Sequence, residues 1–255
     1  MKQAIERMTA RISSILADCE PSIYLYGSVV MDDFRLGWSD IDLLVLTQRE
    51  MTQQQAAELL TLRQAMLYEE PDNPYYRSFE GGILPLRALT EQLPTRVVYW
   101  GTSGQRMNGG YWLDPFSRYE LLTTGRLLSG ADVRDALTMP TYGELRSAVR
   151  AHAETVMQHG HTTGRSLYTF GWLLDISRCL YTLQMGGVIA KTQAGEWALA
   201  RGICPVPDAL ALALRVRRNP AKWKQDAETM AAAERLGQAI HTYARVLIDA
   251  LEENE

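Results

Sequence analysis

The sequence is poor in residues that mark several common classes of protein. It holds three cysteines in 255 residues, Cys19, Cys179 and Cys204. They are odd in number and far apart, so they supply neither a disulfide framework nor the paired spacing of a zinc site. They read as reduced, buried thiols. No run of apolar residues is long enough to span a bilayer. Residues 1–7 are charged and amphipathic, without the apolar stretch of a signal peptide. These features point to a cytoplasmic chain with no membrane partner. An excess of positive charge is also lacking: 26 Lys and Arg stand against 30 Asp and Glu, a net charge of −4. A duplex-binding protein carries a basic face, so no nucleic-acid partner is expected, and cationic or neutral partners suit the balance better. No internal repeat or low-complexity segment occurs.

What is present is an ordinary globular composition, 46% hydrophobic and 22% charged, enough to bury a core in one or two domains. Apolar spacing predicts a helix over residues 3–18, closed by Cys19-Glu20-Pro21, and a second over 52–67. Strands are expected over 23–26, 41–47, 78–86 and 95–100. Residues 101–110 read as a glycine-rich loop. From Tyr142 onward the pattern is helical, broken at Gly160–Gly164, Gly186-Gly187, 202–207 and Asn219-Pro220. One long amphipathic helix is expected over 221–251. The fold class is therefore α+β: a domain over 1–140 with a small mixed sheet and helices, then an α-helical bundle over 141–255.

The chemistry begins at Asp40 and Asp42. Strand side chains alternate faces, so acids two residues apart point the same way. Two carboxylates beside an apolar run are costly unless a cation lies between them, and Mg2+ is the natural one. The alternative is a pair of solvated acids at the start of an edge strand. Gly27-Ser28 favours the first reading. A glycine at a strand end lets a phosphate approach backbone N–H groups, and the Ser28 hydroxyl can donate to it. A helical turn opening after Ser28 would favour the anion further.

Leu25-Tyr26-Gly27-Ser28 followed by Ser39-Asp40-Ile41-Asp42-Leu43 resembles the core motif of the DNA polymerase β-type nucleotidyltransferase superfamily. The resemblance implies that Gly27 and Ser28, with Ser39 beside the acids, bind a nucleoside triphosphate. It implies that Asp40 and Asp42 bind two Mg2+ ions and that a third carboxylate follows on a later strand. Glu80, in the strand-like run 77–86, is the candidate, as metal ligand and as the group that takes a proton from an attacking hydroxyl. Gly81 and Gly82 beside it would give substrate room near the backbone. Glu69, Glu70 and Asp72 are the weaker choices because they lie in a loop.

A second resemblance covers the helical half. Asp175-Ile176-Ser177-Arg178, Gly187 to Lys191 and Glu196-Trp197-Ala198 are similar to the C-terminal domain of the streptomycin/spectinomycin-type aminoglycoside adenylyltransferases. The resemblance implies that Arg178 and Lys191 reach the nucleotide phosphates in a cleft closed by the helical domain. An Arg fork and a Lys point charge suit that task. The implied reaction is Mg2+-dependent transfer of AMP from ATP to an antibiotic hydroxyl, with release of pyrophosphate, by a monomer. The rivals are a nucleotidyltransferase acting on a protein or tRNA, and a non-catalytic nucleotide- or drug-binding member. Trp100, Tyr111 and Trp112 read as core or rim packing, and His152, His159 and His161 as surface or capping residues.

Overall fold

A computed structural model describes residues 1–91, 94–101 and 104–253. The chain forms two compact units: Met1–Met31 with Ser39–Met139, and Asp32–Trp38 with Pro140–Glu255. The first contains α1 (Lys2–Ile15), β1 (Pro21–Tyr26), β2 (Ile41–Thr47), α2 (Gln53–Glu69), β3 (Phe79–Pro85) and α3 (Leu86–Thr90). It continues with β4 (Val97–Gly101), β5 (Gly104–Asn108), α4 (Pro115–Thr123) and β6 (Arg126–Ser129). The strands make one sheet in the order β5-β4-β3-β2-β1-β6. The β2–β3 pair, joined through α2, is parallel, and the other pairs are antiparallel. The expected mixed sheet is therefore present, and it is wider than the sequence pattern implied.

Both faces of the central strands are covered. On one face Tyr24, Tyr26, Leu44, Leu46, Leu84 and Val97 pack with Leu113 and with Leu121 of α4. On the other, Trp100 is buried and its indole N–H donates to the Leu59 carbonyl of α2 at 2.9 Å. Helix α2 buries Ala56, Leu59, Leu62 and Met66, a stripe at three- and four-residue spacing. Its start is fixed by a capping box between Thr52 and Gln55. Burial of each large apolar side chain contributes about 1.5–3 kcal/mol.

The residues read as a glycine-rich loop over 101–110 instead carry the end of β4 and the strand β5; Thr102 and Ser103 lie outside the described residues. Helix α4 and strand β6 are additional to the expected elements. Helix α4 did carry a local signal: Asp114 accepts from the backbone N–H groups of Phe116 and Ser117, and Pro115 opens the helix.

The second unit holds α5 (Tyr142–His159), α6 (Gly171–Met185), α7 (Lys191–Ala200) and α8 (Pro207–Arg218). It ends in α9 (Pro220–Trp223), α10 (Ala227–Glu234) and α11 (Gly237–Glu252). The single helix expected over 221–251 is thus three. Asp226 accepts from the Thr229 N–H at 2.8 Å and starts a new helix there. At the second break, a Cβ on Gly237 would stand 3.0 Å from the His161 carbonyl oxygen. Helix α6 is the central element, burying nine of its fifteen residues. Among the described residues no helix is long and apolar enough to cross a membrane.

The segment Asp32–Trp38, which lies in sequence between Ser28 and Asp40, packs with the helical unit. Asp33 is buried there. Its carboxylate accepts from Arg217 at 2.8 Å and from the Thr192 backbone N–H at 3.2 Å. Helix α7 has no side-chain cap of its own at Ala190, so Asp33 supplies that function from elsewhere in the chain.

Candidate active site

Strand β1 ends at Tyr26, and the chain turns at Gly27 with φ +67°, a left-handed conformation that suits glycine. Gly27–Val29 form one 3-10 turn rather than the start of a longer helix. Asp40 stands immediately before β2, and Asp42 is the second residue of that strand. Register places Tyr26 of β1 opposite Asp42, and Asp42 beside Glu80 of β3. Laterally paired residues share a face, so Tyr26, Asp42 and Glu80 form one row across three strands.

Gly27 lies against this row. A Cβ there would stand 2.3 Å from Asp42 Oδ2, so only glycine leaves the carboxylate its place. The Ser28 hydroxyl donates to the Asp40 backbone carbonyl at 3.3 Å, which ties the Gly-Ser turn to the start of β2. Asp40, Asp42 and Glu80 are each half-buried. The structure thus brings Gly27, Ser28, Ser39, Asp40, Asp42 and Glu80 to one end of the central strands.

Glu80 has partners that the sequence gave no reason to expect. The Tyr99 hydroxyl of β4 donates to Glu80 Oε1 at 2.8 Å. Burial, then the bond to Glu80 and the charge of Glu80, push the Tyr99 phenol up to about 12. Tyr111 lies beside Tyr99, with ring centroids 6.2 Å apart, and is hydrogen-bonded to Tyr26. Arg63 of α2 donates to the carbonyls of Gly101 and Arg77. Burial pushes its guanidinium down, while Glu80 and then Asp40 act in the opposite direction.

Gly81 and Gly82 do not open space for substrate. A Cβ on Gly81 would stand 1.7 Å from the Leu43 carbonyl oxygen, and one on Gly82 2.7 Å from the Tyr111 ring. Neighbouring protein fills the room that their missing side chains leave. The weaker acids are engaged elsewhere: Glu69 pairs with Arg11, and Glu70 with Arg7.

The helical unit presents a second polar group. Lys191, the first residue of α7, meets Asp175 Oδ1 of α6 at 2.7 Å. A lysine at a helix N-terminus opposes the helix dipole, and Asp175 offsets that cost. Arg178 follows Asp175 by three residues on the same helix, the spacing of a helical neighbour. That spacing was the available sign of Asp175. Burial pushes the Asp175 carboxyl up, but Lys191, then Arg178 and His152, outweigh it and hold it below its ordinary value. His152 therefore belongs to this group rather than to the surface. Its ring lies 6.1 Å from that of Trp172, and burial holds its imidazole below the ordinary value.

Trp100 packs in the core, whereas Trp112 is 71% exposed, so the packing expected of it is not found. Among the described residues no group of three or more His, Cys, Asp and Glu side chains is disposed to hold a metal ion by itself. The carboxylates at the strand ends are nevertheless hard oxygen donors, arranged around a turn that admits no side chain at position 27. That set fits Mg2+, which commonly takes one or two carboxylates and completes its shell with water and phosphate oxygens.

A mixed sheet with a Gly-Ser turn opposite strand-borne carboxylates defines a nucleotidyltransferase, and a nucleotidyltransferase-domain family model matches residues 10–74. The family model of the aminoglycoside adenylyltransferase C-terminal domain matches residues 141–248. The chain belongs to the aminoglycoside adenylyltransferase family. Its fold is similar to that of spectinomycin adenyltransferase AAD(9) from Enterococcus faecialis, solved with ATP and spectinomycin. The TM-score is 0.69 at 16% identity, over 97% of this chain and 98% of that one. No curated protein sequence matches the chain.

Proposed function

We propose that this nucleotidyltransferase moves AMP from ATP to a hydroxyl of an aminoglycoside-type antibiotic of the streptomycin or spectinomycin class. The observation that carries the reading is the row Tyr26–Asp42–Glu80 set against Gly27. It supports the reading because it sets acids that can hold a cation and accept a proton beside the Gly27-Ser28 turn. The ATP and spectinomycin bound by the structural neighbour supply the substrate classes.

In this reading Gly27, Ser28 and Ser39 hold the triphosphate. Asp40, Asp42 and Glu80 are the protein's ligands for Mg2+, which would neutralise phosphate charge when bound. Glu80 takes the proton of the acceptor hydroxyl as its oxygen bonds to the α-phosphorus. The α–β phosphoanhydride bond breaks and pyrophosphate leaves. Arg178 and Lys191 of the helical unit offset the charge on the departing phosphates. Because Asp175 already holds Lys191, the phosphates compete with that carboxylate for the ammonium.

The test is mass spectrometry of streptomycin and spectinomycin after incubation with enzyme, ATP and Mg2+. A single adenylyl group added to either drug, matched by pyrophosphate, is the expected result. Unmodified drug together with a labelled protein or tRNA in lysate would move the acceptor to a macromolecule.

A further inference from the structure

Tyr99 sits on the same face of the sheet as Glu80. Its strand pairs it with Gly82, two residues beyond Glu80 on β3, so the two side chains are diagonal neighbours across adjacent strands. A diagonal pair is within reach of a long aromatic side chain. The Tyr99 ring is held on several sides. A Cβ on Gly101 would stand 2.6 Å from its Cε1, so the ring occupies space that only glycine leaves there. The Arg106 guanidinium of β5 lies 4.7 Å over the ring centroid. Tyr111, lying across Gly82, closes another side. A phenol fixed in this way delivers its hydroxyl to one place, 2.8 Å from Glu80 Oε1.

We infer that Tyr99 is a positioning residue for nucleotidyl transfer. Its hydroxyl holds Oε1 of Glu80 so that the second carboxylate oxygen faces the acceptor hydroxyl and receives its proton. The inference rests on the reading of Glu80 as the acceptor-activating acid. A carboxylate with neither oxygen fixed can rotate about its terminal bond, whereas a reacting group needs its partner held in an attacking geometry.

The test is steady-state kinetics of Tyr99→Phe, Glu80→Gln and the double variant, with ATP, Mg2+ and the drug that the wild type modifies. Tyr99→Phe keeps the ring and removes only the hydroxyl. The expected result is a kcat lower by about ten- to a hundredfold, the effect of losing one hydrogen bond to a charged group. KM for ATP stays within about twofold, because the bond orients the group that receives the acceptor's proton and does not itself touch the nucleotide. In the Glu80→Gln background, Tyr99→Phe costs little more, because the two residues act as a unit. A packing role alone would give additive losses. Wild-type kcat in Tyr99→Phe with an inactive Glu80→Gln overturns this inference and leaves the function standing. Wild-type kcat in Glu80→Gln overturns the role of Glu80 and the inference with it.

Discussion

Asp33 and Arg217, 184 residues apart, form a buried ion pair at 2.8 Å, with side chains 4% and 3% exposed. Two charges out of water are tolerated because the geometry is complete. The Asp33 carboxylate also accepts from both the hydroxyl and the N–H of Thr192, and the Arg217 guanidinium lies over the Trp38 ring. Asp33→Ala leaves Arg217 buried without its counter-charge and α7 without its cap. The expected cost is about 3–5 kcal/mol, read as a lower urea midpoint by circular dichroism. Replacing both residues, as Asp33→Leu with Arg217→Met, recovers most of that loss. A single variant as stable as the wild type would contradict the role given to the pair.

Gly27→Ala is expected to damage catalysis more than folding. The added methyl meets Asp42 Oδ2, and the position has φ +67°. The left-handed backbone costs an alanine roughly 1–2 kcal/mol, which the sheet can bear. Displacing the carboxylate disturbs the reacting geometry, and kcat/KM should fall by about a hundredfold or more. Melting temperature and drug-modifying activity, measured on one preparation, check this.

Gly81 tests the register that sets Asp42 beside Glu80. With φ +143° and the Leu43 carbonyl oxygen 1.7 Å from a Cβ, any side chain must part β2 from β3. Gly81→Ala should lose both stability and activity. A correctly folded, active variant would show that the two strands can separate at this point without harm.

The Asp175–Lys191 pair carries a pH dependence. The folded carboxyl titrates below its ordinary value, so the unfolded chain binds the proton first as pH falls. The stabilisation is whole above the ordinary aspartate range, near about pH 4, and is lost as pH drops through the folded value. His152, also held below its ordinary value, contributes a loss of the same sign as the unfolded imidazole protonates nearer about pH 6.5. Asp175→Asn should lower stability at neutral pH by about 1–3 kcal/mol and flatten the acid-side fall in thermal midpoint. An acid profile unchanged by the substitution would remove the pair from the account.

Much of this was legible in the chain because local patterns set it. Alternation over residues 41–47 gave Asp42 its face, the Gly27-Ser28 turn marked the end of β1, and the helical rhythm after Tyr142 announced the second half. The pairing partners were not legible. Nothing near Glu80 in sequence points to Tyr99, because the diagonal contact depends on which strand lies beside β3 and in what register. Asp33 reads as one more loop acid until Thr192 and Arg217 close on it. Apolar spacing runs on through Asp226 and Gly237, so it does not reveal the cap and the close backbone approach that divide 221–251 into separate helices. At Gly81 and Gly82 the missing side chain is visible in sequence, while the Leu43 carbonyl and the Tyr111 ring that fill the space are not.

The most direct test of the central claim is transfer of label from α-32P-ATP to drug by the wild type and by Asp42→Asn, with Mg2+ present. The account predicts labelled streptomycin or spectinomycin with the wild type. It predicts none above background with a variant that folds and melts like its parent. Undiminished labelling by Asp42→Asn would contradict it.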